Sequence, residues 1–562
     1  MKSFATRVKI IQIIVGIIFI LIVMRFFYIQ IIKHNEYINY GQKEFKRKTR
    51  EIMPRGNIYD INGNLLATSI VKWDLVIMKN ELLKQKTDVI NSIADILGIP
   101  LEEIKEKLNQ KRNYIKIAKM LEKDKYDLIQ NEIKKKKIVG VVLEPHQKRI
   151  YPLDVAKEII GLSNENEGLT QIEYVYNRYL EGNIITKEVI KDNKGNVIEV
   201  LNEISEKEPS DIYLTIDANI QAVVEDKIKK YYEILKAKSI IAVVQDAKTG
   251  FITAIASYPE DYINLKPIEY VYEPGSTLKT LVLAGAFEEN IIKEDDYIDC
   301  ENGKWKVNEK NTIEDHQPLK IVTLTQVYEH SSNIGFGKIG LKLGAEKLYT
   351  YLKKFGIGMK YTDFGGESKG ILKEYSKYRE IDIITTSFGY SIAVNPIQLI
   401  NAYTAIANNG ILLKPQIIYK ISKDGITAKP EVIRRVISDE TSQRIKNLMI
   451  KVVDEGTGVA AQIDGYYIGG KTGTANKLDL KTKKYIKGRN VTSFCGIITA
   501  KNPYYTVLII VDDSQKYKYG GQTSAPVFAE IAKQIISIKN IPMEKEINHL
   551  KTGDKTKINI LN

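Results

Sequence analysis

The chain has 562 residues, and its 83 Lys and Arg residues exceed its 69 Asp and Glu residues, for a net charge of +14. A hydrophobic content of 44% excludes a disordered chain, and the length predicts more than one domain. Two cysteines exclude a disulfide scaffold, and the five histidines include no H-x-x-x-H pair, so we predict no metal site and no cofactor. The positive charge by itself fits a nucleic acid, an acidic membrane or wall, or a lysine-rich composition.

The N-terminal region predicts a membrane anchor. Residues 10–24 are apolar except for Gln12, and the apolar character continues beyond Arg25 to Ile32. A helix over residues 10–32 is long enough to cross a bilayer core of about 30 Å, with Arg25 reaching the interface. A buried core helix is the alternative interpretation.

The residues that flank this segment predict its orientation. Lys2, Arg7 and Lys9 precede the apolar residues, so residues 1–9 are expected to form a tail that stays in the cytoplasm. No small-x-small cleavage site follows, which favours an uncleaved signal anchor. The rest of the chain would then lie outside the cytoplasm, and this position excludes a nucleic acid as its partner.

Residues 33–210 are predicted to form a first domain of mixed α and β structure. The Asn-Gly pair at 62–63 lies between apolar pairs and predicts a hairpin, and a second turn is expected within residues 192–200. Apolar residues at helical spacing predict amphipathic helices over residues 80–135, whereas the lysine run at 134–137 is expected to be a solvated face. An acidic and polar stretch near residue 210 marks the end of this domain.

Residues 211–543 are predicted to form a second, α/β domain, followed by a polar tail over residues 544–562. Its elements are a helix-rich region at 276–409, a closing helix at 525–538, and strands at 240–244, 251–256, 493–499 and 506–511. This order predicts a sheet whose first and last strands come from opposite ends of the domain. The fold class expected for the whole chain is α/β, in the form of a multi-domain α+β protein.

Three short motifs in the second domain carry the candidate chemistry, and the first is S-x-x-K at residues 276–279. Pro and Gly before it predict a helix that starts near Ser276, so Lys279 lies one turn later on the same face. A serine hydroxyl is a weak nucleophile at neutral pH, and a buried lysine of lowered pKa can act as its base. The helix N-terminus also favours developing negative charge.

The second motif is S-x-N at residues 331–333, at a predicted helix junction. Ser331 and Asn333 lie two residues apart, where they could pass a proton and hold a substrate amide. His330 is expected to be structural rather than a base, because Lys279 is better placed.

The third motif is K-T-G-T at residues 471–474, on a predicted strand. Lys471 and the hydroxyls of Thr472 and Thr474 form an edge that can bind a carboxylate. Gly473 leaves room for a substrate backbone to lie alongside the strand.

Each motif alone is weak, because S-x-x-K also occurs at residues 69–72 and K-T-G also occurs at 248–250 and 551–553. S-x-N occurs only once. The copies that start at Ser276, Ser331 and Lys471 are the ones that follow one another in the order S-x-x-K, S-x-N, K-T-G within one domain. That order is typical of serine enzymes of the penicillin-binding protein and β-lactamase type.

With these motifs the chain resembles the class B penicillin-binding proteins, single-pass transpeptidases that cross-link peptidoglycan. Residues 55–67 resemble the membrane-proximal motif R-G-x-I-x-D-R-N-G-x-x-L-A of the family, with Ile61 in place of the usual Arg. Residues 149–152 and 168–182 resemble later motifs of the same domain, with Thr-Gln at 170–171 in place of Ser-Gly. Further segments resemble the transpeptidase domain: 214–221, 387–399, 407–410 and 520–528.

The resemblance implies an elongated α+β pedestal over residues 33–210. It implies a penicilloyl-serine transferase fold over residues 211–543, with a central antiparallel sheet flanked by helices. The implied partners are peptidoglycan stem peptides, β-lactam antibiotics, and a polytopic glycosyltransferase with other division proteins. The chain is expected in the cell membrane, with its catalytic domain outside the cytoplasm.

The resemblance also implies a role for each motif residue. Ser276 is the nucleophile, Lys279 is its base, and Ser331 with Lys471 delivers a proton to the leaving D-Ala. Backbone N–H groups of Ser276 and Thr474 form the oxyanion hole. The substrate-binding residues are Asn333, for a substrate amide, and Thr472, Gly473 and Thr474, for the end that carries the terminal carboxylate.

Several alternatives stay open. A serine β-lactamase would share the motifs but would need neither an anchor nor a pedestal, and a β-lactam sensor would carry several membrane spans. A non-catalytic division scaffold could lose the motifs, which are intact here. Within the family, residues 272–276 and 42–50 favour the septal subgroup, with a side-wall or spore-specific transpeptidase as the alternative.

Overall fold

The computed structural model describes residues 2–38, 46–84, 89–165, 167–191, 197–204, 208–479 and 484–545. Contacts within the chain divide it into two compact units. Unit 1 consists of Met1–Arg55, Ser69–Lys148 and Gly182–Pro209, and unit 2 consists of Gly56–Thr68, Arg149–Glu181 and Ser210–Asn562. Two segments of the predicted first domain, 56–68 and 149–181, therefore group with unit 2.

The elements are numbered in chain order. The helices are α1 Lys2–Phe27, α2 Lys79–Leu82, α3 Val89–Leu97, α4 Leu101–Leu108, α5 Lys123–Lys136, α6 Lys157–Ile160, α7 Gln171–Val175, α8 Asn177–Leu180, α9 Ala218–Leu235, α10 Lys266–Glu269, α11 Lys279–Glu288, α12 Leu324–Glu329, α13 Asn333–Leu343, α14 Ala345–Lys354, α15 Glu380–Ser387, α16 Pro396–Ala407, α17 Asp439–Asp454 and α18 Ser524–Ile538. The strands are β1 Lys46–Met53, β2 Ile58–Tyr59, β3 Leu65–Met78, β4 Tyr114–Leu121, β5 Val141–Ile150, β6 Asn183–Lys191, β7 Val197–Ile204, β8 Ile212–Leu214, β9 Ser239–Asp246, β10 Ile252–Tyr258, β11 Tyr297–Asp299, β12 Lys304–Lys306, β13 Thr312–Glu314, β14 Ile321–Thr323, β15 Ile411–Leu413, β16 Ile418–Ile421, β17 Val432–Arg435, β18 Gly469–Asp479, β19 Lys484–Ile498 and β20 Tyr505–Asp512. A π-helical turn follows α1 at Tyr28–Ile32, and 3-10 turns occur at Gly275–Leu278, Glu301–Gly303, Tyr375–Lys377 and Val459–Ala461.

The N-terminal segment forms the helix that the sequence predicts. Ile10–Ile32, which spans α1 and the π-helical turn, has a mean hydropathy of 2.8 and is not buried within the structure. Arg25 lies over the ring of Tyr28 at 5.6 Å, near the end of this segment. The helix is long and apolar enough to cross a membrane, and its exposure does not fit the alternative of a buried core helix.

Unit 1 contains a sheet with the order β1-β6-β7. Both pairings are antiparallel, with Lys46 opposite Ile190 and Thr186 opposite Ile204. Residues 192–196, the centre of the second predicted turn, lie outside the described residues, and the turn stays a prediction.

A second part of unit 1 packs α3, α4 and α5 against β3 and β4. Its core includes Ile77, Ile93, Ile104 and Ile129. The amphipathic helices predicted over residues 80–135 are confirmed except at Tyr114–Leu121, which forms β4. In this segment two buried isoleucines alternate with more exposed residues. An alternation of every second residue is the period of a strand and not of a helix. The lysine run at 134–137 is exposed, as predicted.

Unit 2 contains the hairpin predicted at residues 62–63. β2 and the first residues of β3 pair antiparallel across the turn. The Asp60 carboxylate accepts the backbone N–H groups of Asn62 at 2.8 Å, Asn64 at 2.7 Å and Ala218 at 3.0 Å. Because Ala218 opens α9, one carboxylate ties the hairpin to the start of that helix.

The central sheet of unit 2 has five antiparallel strands in the order β10-β9-β20-β19-β18. β9 is the first of these strands along the chain and β20 the last, and they are neighbours, with Val244 opposite Val507. This pairing confirms the predicted sheet whose first and last strands come from opposite ends of the domain.

Alternate residues of this sheet build two hydrophobic cores. In β20, Val507 and Ile509 pack in a cluster with α9 and α18, whereas Leu508 and Ile510 belong to a cluster with α11 and α16. All four side chains are fully buried, and each contributes about 1.5–3 kcal/mol to folding. Helices therefore cover both faces of the sheet, which confirms the predicted α+β fold, and α11 is held against one face by its apolar residues.

Candidate active site

Ser276 lies on the 3-10 turn that leads directly into α11. The Thr277 hydroxyl closes this turn by donating a hydrogen bond to the Pro274 carbonyl at 2.7 Å. Gly275 has a φ of +55°, a conformation that glycine adopts without the strain of a Cβ. The predicted helix start at Ser276 is confirmed, with a first turn that is tighter than an α-helical one.

The side chain of Lys279, the first residue of α11, is completely buried. Its Nζ lies within hydrogen-bonding distance of the Ser331 carbonyl at 2.6 Å, the Ser331 hydroxyl at 3.2 Å and Asn333 Oδ1 at 2.8 Å. Burial, and then the nearby positive charge of Lys471, lower the pKa of Lys279 well below its ordinary value, against the opposing effect of Asp315. Lys279 therefore gives up its proton far more readily than an exposed lysine.

The Ser331 hydroxyl stands between two buried lysines. Lys471 Nζ, from β18, lies 2.9 Å from Ser331 Oγ, and Lys279 Nζ lies 3.2 Å from the same oxygen. Burial lowers the pKa of Lys471 to about 7. Ser331 has a φ of +60°, in the left-handed region that non-glycine residues rarely adopt. In this conformation both its carbonyl and its hydroxyl face Lys279, so the hydroxyl forms a path for a proton between the two amines.

β18 brings the K-T-G-T motif against the 3-10 turn. A Cβ on Gly275 would lie 2.8 Å from the Thr474 carbonyl oxygen, so the two backbones touch at this point. The Thr474 hydroxyl accepts the N–H of Gly520 at 3.2 Å, and the Thr472 hydroxyl shares a hydrogen bond with the Thr457 hydroxyl at 2.8 Å. Other groups of the protein therefore hold both threonine hydroxyls in place.

Direct contacts join Lys279, Ser331, Asn333 and Lys471, but Ser276 is not part of this bonded cluster. Its hydroxyl makes no hydrogen bond with the residues that the structure describes, although it lies on the turn immediately before Lys279. Catalytic hydrogen bonds often tighten only once substrate is bound. The role of Ser276 therefore stays a prediction from its position at the start of α11.

Asp315 is a site residue whose contacts the sequence does not predict. Its carboxylate accepts the N–H of Asn333 at 2.5 Å, the N–H of Ile334 at 3.0 Å and the hydroxyl of Ser332 at 2.5 Å. The residue lies in the loop after β13. No local pattern connects that loop to the S-x-N motif, so only the folded chain shows the contact.

A buried network of hydroxyls supports the first turn of α11 and was also missed by sequence reasoning. Thr280 Oγ1 lies 2.8 Å from the hydroxyl oxygens of both Tyr328 and Tyr403. Tyr403 donates to the Thr277 carbonyl at 2.7 Å, and the ring of Tyr328 lies 5.9 Å from the Lys471 amine. The network joins α11, α12 and α16, so its members are far apart in sequence.

The remaining sequence candidates have no part in this cluster. His330 is half-buried at the end of α12 and makes no hydrogen bond to either lysine of the site or to Ser331 within the described part of the chain. The K-T-G copy at 248–250 forms the turn between β9 and β10, as predicted, and the copy at 551–553 lies outside the described residues. Cys300 and Cys495 are both buried and free, so no disulfide joins them.

Gly473 allows the 3-10 turn to approach β18. A Cβ at this position would lie 2.4 Å from Ser493 Oγ, 2.9 Å from the Pro274 carbonyl oxygen and 3.0 Å from Thr277 Cγ2. These contacts come from three sides, and one of them is a backbone atom that cannot rotate away. The missing side chain of Gly473 thus makes room for the segment that carries the S-x-x-K motif, and not, as the sequence predicted, for a substrate backbone.

We expect Gly473→Ala to destabilise the protein by about 1–3 kcal/mol, because the new methyl group must displace this segment. The melting temperature measured by differential scanning fluorimetry should fall by several degrees. Gly365→Ala is the matched control, since a Cβ there meets nothing within 4 Å. A Gly473→Ala variant that melts with the wild type would contradict the packing described above.

Two family models match the chain: the penicillin binding protein transpeptidase domain over residues 240–533, and the penicillin-binding protein dimerisation domain over residues 51–214. The chain is 31% identical over 561 residues to the peptidoglycan D,D-transpeptidase FtsI of Buchnera aphidicola subsp. Schizaphis graminum, with 96% of each chain covered. It is 29% identical over 550 residues to the stage V sporulation protein D of Bacillus subtilis, with 92% of this chain and 83% of that protein covered. Its fold is similar to the crystal structure of penicillin binding protein 2X from Streptococcus thermophilus, with a TM-score of 0.76 and 24% identity over 88% of this chain and 80% of that one.

Proposed function

The chain belongs to the class B penicillin-binding proteins, and from this membership we propose that it is a peptidoglycan D,D-transpeptidase, which cross-links stem peptides through an acyl-serine intermediate. The observation that carries the proposal is the Ser331 hydroxyl between the buried amines of Lys279 and Lys471. Together with Ser276 on the adjoining turn, this arrangement provides a nucleophile, a base and a proton path.

In the first step, the Ser276 hydroxyl attacks the carbonyl carbon of the penultimate D-Ala of a stem peptide. Lys279 accepts the hydroxyl proton, a role that its burial and lowered pKa support. The backbone N–H groups of Ser276 and Thr474 stabilise the oxyanion that forms, and one such donor is worth about 3–4 kcal/mol in serine enzymes. The close packing of Gly275 on the Thr474 backbone supports this pairing of donors.

In the second half of the acylation step, the peptide bond breaks and the terminal D-Ala leaves as an amine. The proton that Lys279 took from Ser276 passes through the Ser331 hydroxyl to the departing nitrogen, which therefore leaves as a neutral amine and not as an amide anion. The distances from Ser331 Oγ to Lys279 Nζ and Lys471 Nζ, 3.2 and 2.9 Å, support this relay. Lys471 orients the Ser331 hydroxyl during the transfer.

Substrate binding is assigned to β18 and to the S-x-N segment. We propose that the hydroxyls of Thr472 and Thr474 bind the carboxylate of the terminal D-Ala beside Lys471, whose charge attracts it. Asn333 holds a backbone amide of the stem peptide. The contacts of these side chains with neighbouring protein groups support a preorganised site, because little side-chain freedom is lost on binding.

The acyl-enzyme is resolved by the amine of a neighbouring stem peptide. This amine attacks the ester carbonyl and gives up a proton to Lys279, a new amide bond forms as the ester bond breaks, and Lys279 passes that proton to the departing Ser276 oxygen. A β-lactam presents a strained amide in place of the D-Ala-D-Ala bond and acylates the same serine. Its amine stays attached after the ring opens, so the acyl-enzyme persists and the protein is inhibited.

We further propose that Ile10–Ile32 anchors the chain in the cytoplasmic membrane, with the N-terminus inside and the domain over residues 211–543 outside. The basic residues before the segment support this orientation. The exposed apolar surface of the helix also supports a membrane partner, a polytopic glycosyltransferase that works with other division proteins. In this scheme residues 33–210 form the pedestal domain.

The reaction is tested by giving the purified full-length protein, in detergent, uncross-linked glycan strands with pentapeptide stems. We expect mass spectrometry to detect cross-linked dimers and one D-Ala released per cross-link, and a penicillin added beforehand should prevent both. Release of D-Ala without dimers would instead indicate a carboxypeptidase. Continuous hydrolysis of the penicillin would indicate a β-lactamase, and either result would overturn the proposal.

A septal role is the form of this function that we propose for the cell. The match to an FtsI protein along 96% of the chain supports it, and the match to a sporulation protein makes a spore-specific enzyme the second candidate. Fluorescence microscopy of a tagged copy in growing cells separates them. A band at the division site is expected, whereas signal along the side wall, or signal confined to sporulating cells, would refute the septal role.

A further inference from the structure

We propose that Asp315 is a positioning residue of the transpeptidation reaction: its carboxylate holds residues 332–334 so that Ser331 and Asn333 meet Lys279, and it supplies a negative charge near that lysine. The proposal rests on the function proposed above. It assigns a role to a loop residue outside the three motifs, and it has two parts, geometry and charge, that can be tested separately.

The geometric part follows from the hydrogen bonds around α13. Asp315 accepts the N–H groups of Asn333 and Ile334 at 2.5 and 3.0 Å. These groups lie at the start of this helix of 11 residues, where backbone N–H groups have no partner within the helix. It also accepts the Ser332 hydroxyl at 2.5 Å. One carboxylate therefore holds the side chain of Ser332 and the backbone of Asn333 and Ile334.

The same loop holds the side chain of Asn333. Its Nδ2 donates to the Glu314 carbonyl at 3.1 Å, and its Oδ1 lies 2.8 Å from Lys279 Nζ. Residue 331, just before this clamp, keeps a left-handed backbone that is costly for a serine. The loop thereby maintains the conformation in which the Ser331 carbonyl and hydroxyl both meet Lys279.

The charge part follows from the groups that face Lys279. β18 contributes the positive charge of Lys471, and the segment after β11 contributes the thiol of Cys300, whose pKa burial raises. Among the carboxylates of the described residues, only that of Asp315 raises the pKa of Lys279, because its negative charge favours the protonated amine. The neighbouring ring of Phe336, 5.5 Å from the amine, has no titrating group. Asp315 therefore opposes burial and Lys471, and limits how far the pKa of Lys279 falls.

The test is the pH dependence of acylation of the full-length protein by a fluorescent penicillin. Acylation needs the free amine of Lys279, so the rate should rise as the pH rises through the pKa of that residue. Asp315→Asn keeps the size of the side chain and removes its charge. We expect the rising limb of the profile to move to lower pH by about one unit, and the plateau rate to fall by about tenfold as the clamp loosens.

The matched control is Glu309→Gln, which makes the same change of charge at an exposed position in the same loop region. Its profile should superimpose on that of the wild type. If Asp315→Asn lowers the rate equally at every pH, or if Glu309→Gln moves the limb as far, the charge part of the proposal is overturned.

Two further variants separate geometry from charge and keep the test valid if Asp315→Asn does not fold. Ser332→Ala removes the hydroxyl that donates to Asp315 and accepts the N–H of Gly335 at 2.9 Å, but it keeps the carboxylate, and Asp315→Glu keeps the charge on a longer side chain. Both should acylate more slowly, with a rising limb that lies closer to that of the wild type than the limb of Asp315→Asn does. Wild-type rates in both variants would overturn the geometric part, and a limb that moves in Ser332→Ala as far as in Asp315→Asn would overturn the charge part.

Failure of this inference can be told apart from failure of the proposed function. If the wild-type protein forms cross-linked dimers and the penicillin label maps to Ser276 in the digested protein, the proposed function stands whatever the Asp315 variants do. If the wild type is not labelled at Ser276, the proposed function fails, and the role of Asp315 in this reaction fails with it.

Discussion

Replacing Ser276 by Ala is expected to abolish covalent labelling of the chain by a fluorescent penicillin. The serine oxygen forms the acyl bond. The turn that opens α11, next to both Lys279 and β18, carries one other hydroxyl, that of Thr277, and this hydroxyl already donates to the Pro274 carbonyl. Removing the nucleophile of a serine enzyme lowers its rate by about 10⁶-fold. The measurement is in-gel fluorescence together with the intact mass, which should lack the added mass of one penicilloyl group.

The chain provides its own control for this prediction. Ser69 begins a second S-x-x-K copy in β3, so Ser69→Ala tests whether the motif alone determines labelling. We expect Ser69→Ala to label at the wild-type rate. Labelling that survives in Ser276→Ala, or that is lost in Ser69→Ala, would show that the nucleophile has been assigned to the wrong copy.

Replacing Lys279 is expected to have the second largest effect. Lys279→Met removes the base, and we expect the second-order rate constant of acylation to fall by about 10²–10⁴-fold. Lys279→Arg should lose about as much, because a guanidinium keeps its proton at any accessible pH and cannot act as a base. The rates are obtained by stopping the labelling reaction at timed intervals at pH 7.

A buried lysine outside the site is the matched control. Lys446 is buried, donates to Asn409 Oδ1 at 3.0 Å, and has a pKa that burial lowers. Lys446→Met should therefore change stability but leave the acylation rate within about twofold of the wild type. An acylation rate in Lys279→Arg that matches the wild type would contradict the role of Lys279 as a base.

The lowered pKa of Lys279 also predicts how stability depends on pH. Unfolding returns this lysine to its ordinary pKa of 10.5, so between the folded and unfolded values the unfolded chain binds more protons. The contribution of Lys279 to the free energy of unfolding therefore rises with pH between these two pKa values. The melting temperature of the wild type should increase more between pH 7 and pH 10 than that of Lys279→Met, which lacks this titrating group.

Much of the site could be predicted because its motifs are local. Ser276 and Lys279 are three residues apart, and backbone geometry alone puts such a pair on one face of a helix. The strand of Lys471 and the helix junction at Ser331 follow from the same kind of short-range pattern. Short-range patterns fail at Tyr114–Leu121, because the spacing of apolar residues over 80–135 predicts helices whereas pairing with β3 makes this segment a strand.

The amino-acid sequence was enough to predict the apolar N-terminal helix, the mixed α and β structure, a central sheet whose first and last strands come from opposite ends of the domain, and the three motifs that carry the chemistry. These features depend on residue type and on spacings shorter than one element. The position of Ser331 between two lysines that are 52 and 140 residues away from it, and the hydrogen bonds of Asp315 to the segment beside it, depend on how the whole chain folds. The packing of α11 on the sheet and the pairing of β18 with β19 set those distances, and no pattern within a single element contains them.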